Sequence, residues 1–188
     1  MTQTVTTPFD SLAEEGDAGA QFNLALLYAD GRDLPRDYVK ARYWHSKAAS
    51  QGHAGAQYSL ALIHHKGLGT PQDHAKTANW YRMAAEQGHQ AAQFNLALLY
   101  DEGLGVTHDR VMAYVWFSLA GTKGKNVRTT LLKSTAKIAS RLSYSMSKGG
   151  LAANGNCDRI ALKLDAHELQ YAEKLAGEYC ARYVLPFR

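Results

Sequence analysis

The sequence predicts an all-α solenoid of helix–loop–helix repeats, closed by capping helices at its C-terminal end. Three observations predict it. The dozen AQFNLALLYADG, residues 20–31, returns as AQYSLALIHHKG at 56–67 and as AQFNLALLYDEG at 92–103, each copy starting 36 residues after the last. Laid under one another, residues 17–52, 53–88 and 89–124 align without a gap, the signature of a repeat array. Within each copy, good helix formers alternate with glycine at two fixed places, so two helices fit each unit.

The first unit shows the logic. Residues 18–29 are helix formers, with Leu24 and Tyr28 on one face at i, i+4 and the small Ala25 beside them. Gly31 ends this helix, because a left-handed residue costs glycine nothing. After the loop GRDLPR, Asp37 is placed to cap the next helix, whose first N–H groups lack partners. That helix carries Trp44, Ala48 and Ala49, a bulky knob beside a strip of small residues, and stops at Gly52. Neither helix buries its apolar face alone, so the units must stack.

The ends read as caps. FDSLAEEG, residues 9–16, overlays the close of the second unit, YRMAAEQG, and predicts a half-repeat helix within an N-terminal cap at 7–16, with Pro8 before it. Residues 125–188 form a C-terminal helical cap. In it, 126–142 carries Leu131, Ile138 and Leu142 on one helical face. Residues 165–183 make a second helix opened by Asp165 and Glu168, the spacing of a capping box. Between them 143–158, with two glycine clusters and an Asn-Gly pair, reads as an inserted loop.

Composition is that of an ordinary globular chain: 46% hydrophobic and 20% charged in 188 residues. No apolar run is long enough to span a bilayer, and residues 1–17 have neither the basic nor the apolar stretch of a secretory signal. Two cysteines, Cys157 and Cys180, lack metal-ligand or redox spacing. The expected compartment is therefore the cytoplasm, with both thiols reduced there. Charge is uneven: residues 1–124 carry ten Lys/Arg against twelve Asp/Glu, and 125–188 carry eleven against five.

The sequence carries little catalytic or metal-binding chemistry. His64 and His65 are adjacent, so on a helix they point about 100° apart and cannot share one ligand face. His53 and His89 fall at equivalent helix-to-helix turns and read as turn residues. Ser-x-x-Lys occurs at Ser134–Lys137 and Ser145–Lys148, without the companion Ser-Asp-Asn and Lys-Thr-Gly elements of a β-lactam-recognising site. GLGTP and GLGVT lack the Lys-Ser/Thr of a phosphate loop. The expectation is no cofactor, no metal and no enzymatic activity.

The repeated A-Q-x-x-L-A-x-x-Y-x-x-G, G-x-G-x-x-x-D, K-A-x-x-W and A-A-x-Q-G resemble the Sel-1-like repeat, a relative of the tetratricopeptide repeat. The resemblance covers residues 9–124. It departs at His64, where Tyr28 and Tyr100 predict tyrosine, and at Asp33, where Gly69 and Gly105 predict glycine. It implies a right-handed superhelix acting as a non-enzymatic adaptor or scaffold for a protein partner. Some members are immunity partners of secreted toxins, and some have been linked to penicillin binding.

By analogy with tetratricopeptide packing, the first helix of each unit lines the concave side. The groove set is then Phe22, Leu26, Ala29 and Asp30; Tyr58, Leu62, His65 and Lys66; and Phe94, Leu98, Asp101 and Glu102. An aromatic row beside a leucine row suits an extended or helical peptide; the same rows serve equally well as packing between helices. A second surface is the basic helix: Lys133, Lys137 and Arg141 at i, i+4, i+8, with Arg128 nearby, against an anionic partner. The absence of interleaved aromatics there disfavours single-stranded nucleic acid and favours an acidic protein.

Overall fold

The computed structural model describes residues 7–121 and 155–183. Among them there are nine helices and no strand: α1 (Asp10–Glu14), α2 (Ala18–Asp30), α3 (Tyr38–Ser50), α4 (Ala54–Lys66), α5 (His74–Glu86), α6 (Gln90–Glu102), α7 (Arg110–Ala120), α8 (Asn156–Ala161) and α9 (Ala166–Tyr183). The expected helix at 126–142 lies outside the described residues. The described residues fall into two compact units, divided between Ala85 and Glu86.

The helix boundaries follow the punctuation of the repeat. Gly31, Gly67 and Gly103 close α2, α4 and α6 with φ of 77°, 67° and 71°, and each donates its N–H to the carbonyl four residues earlier. Asp37 accepts from the N–H groups of Val39 and Lys40 at 3.0 Å. Asp73 does the same for Lys76 at 2.9 Å and Asp109 for Met112 at 2.9 Å. The backbone of each Asp is also used: Asp37, Asp73 and Asp109 donate N–H to the carbonyls of Tyr28, His64 and Tyr100, at 2.9–3.0 Å. This explains why histidine at 64 is tolerated, since the bond needs its carbonyl and not its ring.

In the first unit, α1 packs on α2, α2 on α3 and α3 on α4. Two apolar clusters repeat the same positions. Ala13, Ala20 and Leu24 bury together with Trp44 against them; one repeat on, Ala49, Ala56 and Leu60 bury with Trp80. Alanines at 0–4% exposure let the helix axes approach closely, while the tryptophan fills the space that they leave.

Gln21 and Gln57 are buried among these apolar residues. Gln21 donates its side-chain amide to the carbonyl of Ala13 at 3.0 Å, and Gln57 donates to Ala49 at 3.2 Å. Each acceptor lies in the last turn of the preceding helix, where carbonyls have no intrahelical partner. The repeated spacing of the motif thus places a polar clamp at the joint between one helix pair and the next.

In the second unit α6 packs on α7, and α7 meets both α8 and α9. Trp116 is buried, with Tyr179 of α9 edge-on at 5.5 Å. Ala172, Ala176 and Cys180, spaced at i, i+4, i+8, make the buried stripe of α9. Its capping box forms as the sequence predicts: Asp165 N–H donates to the Glu168 carboxylate at 2.9 Å, and Glu168 N–H to the Asp165 carboxylate at 2.7 Å. One expectation is corrected. Residues 156–158, assigned to the loop 143–158, belong to α8, because Ile160 and Ala161 are buried and draw that turn into the core. The rest of the segment, 143–154, lies outside the described residues.

Candidate protein-binding face on the first helices of the repeats

Each predicted aromatic of the groove set is paired with a ring of the second helix of its own repeat, 23 residues on. Phe22 meets His45 at 5.6 Å, Tyr58 meets Tyr81 at 5.7 Å and Phe94 meets Phe117 at 5.4 Å. Phe22 also stacks on His53 at 4.5 Å and 27°. One ring edge or face of each aromatic is therefore committed to packing. Phe22 and Tyr58 are half-buried, and Phe94 keeps 40% of its surface exposed. Packing and exposure coexist in these positions, the two uses that the sequence left open.

The leucine row is graded. Leu26 is 41% exposed, whereas Leu62 and Leu98 are half-buried. Charges at the helix ends are partly used up locally. The Asp30 carboxylate pairs with Arg32, and its carbonyl accepts from the Arg36 guanidinium at 2.9 Å. The carbonyl of His65 takes the amide of Gln72 at 2.6 Å, so Arg36 and Gln72 are equivalent clasps on the ends of α2 and α4. His65 lies half-buried with its ring 6.0 Å from that of His74, and Lys66 and Glu102 are exposed. The nearly buried carboxylate of Asp101 is held by Arg159 of α8. Arg128, Lys133, Lys137 and Arg141 lie outside the described residues, as do Ser134 and Ser145.

Beside the Phe94–Phe117 pair an apolar pocket of about 440 Å³ is lined by Phe94, Phe117, Ala91, Ala120 and Cys157 among others. Burial pushes the Cys157 thiol up to about 11, opposed by its contact with the Ser118 hydroxyl at 3.7 Å. It is a protonated, apolar wall at neutral pH and a poor nucleophile. Among the described residues no three His, Cys, Asp or Glu side chains gather as a metal site, and no helix is long and apolar enough to cross a membrane.

The histidines have roles that periodicity did not reveal. His53 and His89 are the N-caps of α4 and α6. Their Nδ1 atoms accept from the N–H groups of Ala56 at 3.1 Å and Ala92 at 3.2 Å, where Asp17 accepts from Ala20 in the first repeat. The only signal in the sequence is their register with Asp17. His45 is 1% exposed, and burial first, then the neighbouring His53, lower its imidazole to about 4. His64 and His89 are likewise pushed down, chiefly by burial.

Comparison with known proteins places this arrangement. The Sel1 repeat model matches three times, at residues 18–53, 54–89 and 90–125. The fold is similar to a Sel1 repeat protein from Oxalobacter formigenes, at 33% identity and a TM-score of 0.58 over 66% of this chain and 95% of that one. It is also similar to a protective antigen with an SLR fold from uropathogenic Escherichia coli strains, at 27% identity and a TM-score of 0.58 over 95% of this chain. The match spans 41% of the length of the E. coli protein. No curated protein matches. The three matched repeats cover more than half of the sequence, and the chain belongs to the Sel1 repeat family.

Proposed function

We propose that this protein is a non-enzymatic adaptor that binds a peptide or protein segment through the first helices of its repeats. Sel1 repeats commonly serve as protein-interaction modules and are generally non-catalytic scaffolds, which supports the class of activity. The observation that carries the reading is Phe94: a large apolar side chain left 40% exposed and lining an apolar pocket. Leu26, equally exposed on α2, is the corresponding handle in the first unit. Apolar anchors in pockets supply most of the affinity of peptide recognition, and the exposed Lys66 and Glu102 at the helix ends select among partners by charge.

The test is capture of partners with the wild-type chain, with Leu26→Glu and Phe94→Glu, and with Val39→Glu as a control. Val39 is 55% exposed on α3, the second helix of its repeat, so its substitution leaves the proposed first-helix face intact. All four proteins are first matched for helicity. A protein retained by wild type and by Val39→Glu, and lost by either of the others, supports the reading. Equal retention by all four overturns it.

A further inference from the structure

The repeats cap the helix that opens each unit with different chemistry. Asp17 holds the Ala20 N–H at 2.6 Å with a carboxylate, which accepts through either oxygen. His53 holds the Ala56 N–H at 3.1 Å with Nδ1, an acceptor only while the imidazole is neutral there. A protonated imidazole has a donor on both nitrogens. It also puts a positive charge at the positive end of the helix dipole.

Among the described residues, no carboxylate is hydrogen-bonded or ion-paired to the His53 ring. That ring is stacked on Phe22 of α2. The titratable group facing it from α3 is His45, whose buried Nδ1 has no hydrogen-bond partner. Neither α3 nor α4 contains a carboxylate. Of those bordering α2, Asp17 is engaged with Ala20 and Asp30 pairs with Arg32 at the far end of the helix. The bases of α3 and α4 have the same sign as the incoming proton, and Lys47 lies over the rings of Tyr43 and Trp44.

We propose that His53 is an acid-sensitive latch: proton uptake at Nδ1 breaks its bond to Ala56, uncaps α4 and loosens the α3–α4 turn while the Asp17-capped α2 stays closed. The latch needs no ligand. The loosened turn is also the one against which Gln57 clamps to Ala49, so uncapping reaches the joint between the first two repeats.

The test is amide hydrogen exchange on the full chain, expressed as protection factors, between about pH 7.5 and about pH 5. Ala56 protection is expected to fall about tenfold on acidification, the size of a lost cap, with Ala20 as the internal reference changing less than about twofold. His53→Asn keeps a side-chain acceptor without an ionisable ring, and His53→Asp copies Asp17; either variant is expected to hold Ala56 protection level with Ala20. Parallel behaviour of Ala56 and Ala20 in the wild type overturns the latch. So does a pH-dependent fall that persists in both variants.

Discussion

The side-chain amide of Gln57 donates to the carbonyl of Ala49 at 3.2 Å, across the joint between α3 and α4. That carbonyl also takes the N–H of Gly52 at 3.0 Å, so one oxygen serves both the end of one helix and the start of the next. Gln21 and Ala13 repeat the relationship one unit earlier, with Gly16 in the place of Gly52.

Replacing Gln57 by Leu keeps the volume and removes the clamp. The carbonyl retains one donor, so the expected loss is about 1–2 kcal/mol, read as a lower denaturant midpoint at unchanged m-value. Gln57→Ala adds a cavity and is expected to cost more. Stability unchanged in Gln57→Leu would show that the amide fills space and nothing else.

Two glycines give opposite predictions. Gly67 has φ of 67°, and a Cβ there would meet the Thr70 carbonyl oxygen at 3.2 Å and the Gln72 nitrogen at 3.3 Å. Gly67→Ala is expected to destabilise by about 1–2 kcal/mol. Gly177 lies inside α9 with open space where a Cβ would go. Gly177→Ala is expected to stabilise by about 0.5–1 kcal/mol. Thermal unfolding of the two single variants checks both signs at once.

His45 makes stability depend on pH. Its imidazole titrates at about 4 in the fold, against 6.5 for an ordinary histidine. Between these values the unfolded chain binds a proton that the folded chain refuses, so stability falls as pH drops from 6.5 to about 4 and then levels. The contribution is at most about 3 kcal/mol. His45→Leu, similar in volume and without a titrating group, is expected to flatten that part of the stability profile measured by urea unfolding. A profile as steep as the wild type would assign the dependence to other groups.

Arg159 and Asp101 tie α8 to the end of α6. The Asp101 side chain is 9% exposed and that of Arg159 39% exposed, so the pair is shielded on one side only. A double-mutant cycle with Arg159→Met and Asp101→Asn is expected to give a coupling of about 1 kcal/mol. A coupling indistinguishable from zero would make the contact incidental to the docking of α8.

The regular features were legible because each rests on a local rule. Gly31, Gly67 and Gly103 end helices through their own backbone freedom. Asp37, Asp73 and Asp109 cap helices that begin at the next residue. The Asp165–Glu168 box closes within four residues. Repetition then multiplied one reading by three. The loop expectation at 156–158 failed for the complementary reason: Asn156 and Gly155 carry turn chemistry, and the burial of Ile160 by residues distant in sequence overrode it.

By itself, then, the sequence determined where the repeat helices start and stop and which small residues form the close-packed strip. Those are consequences of dihedral preference and of 36-residue periodicity. Only the tertiary structure decided that Phe22, Tyr58 and Phe94 pair with rings 23 residues on, that His53 and His89 are caps, that the motif glutamine clamps the preceding helix, and that Arg159 takes Asp101. The physical reason is that a side chain's exposure and partner depend on which helix lies against it, and the one-dimensional pattern leaves packing and binding surfaces with the same residues.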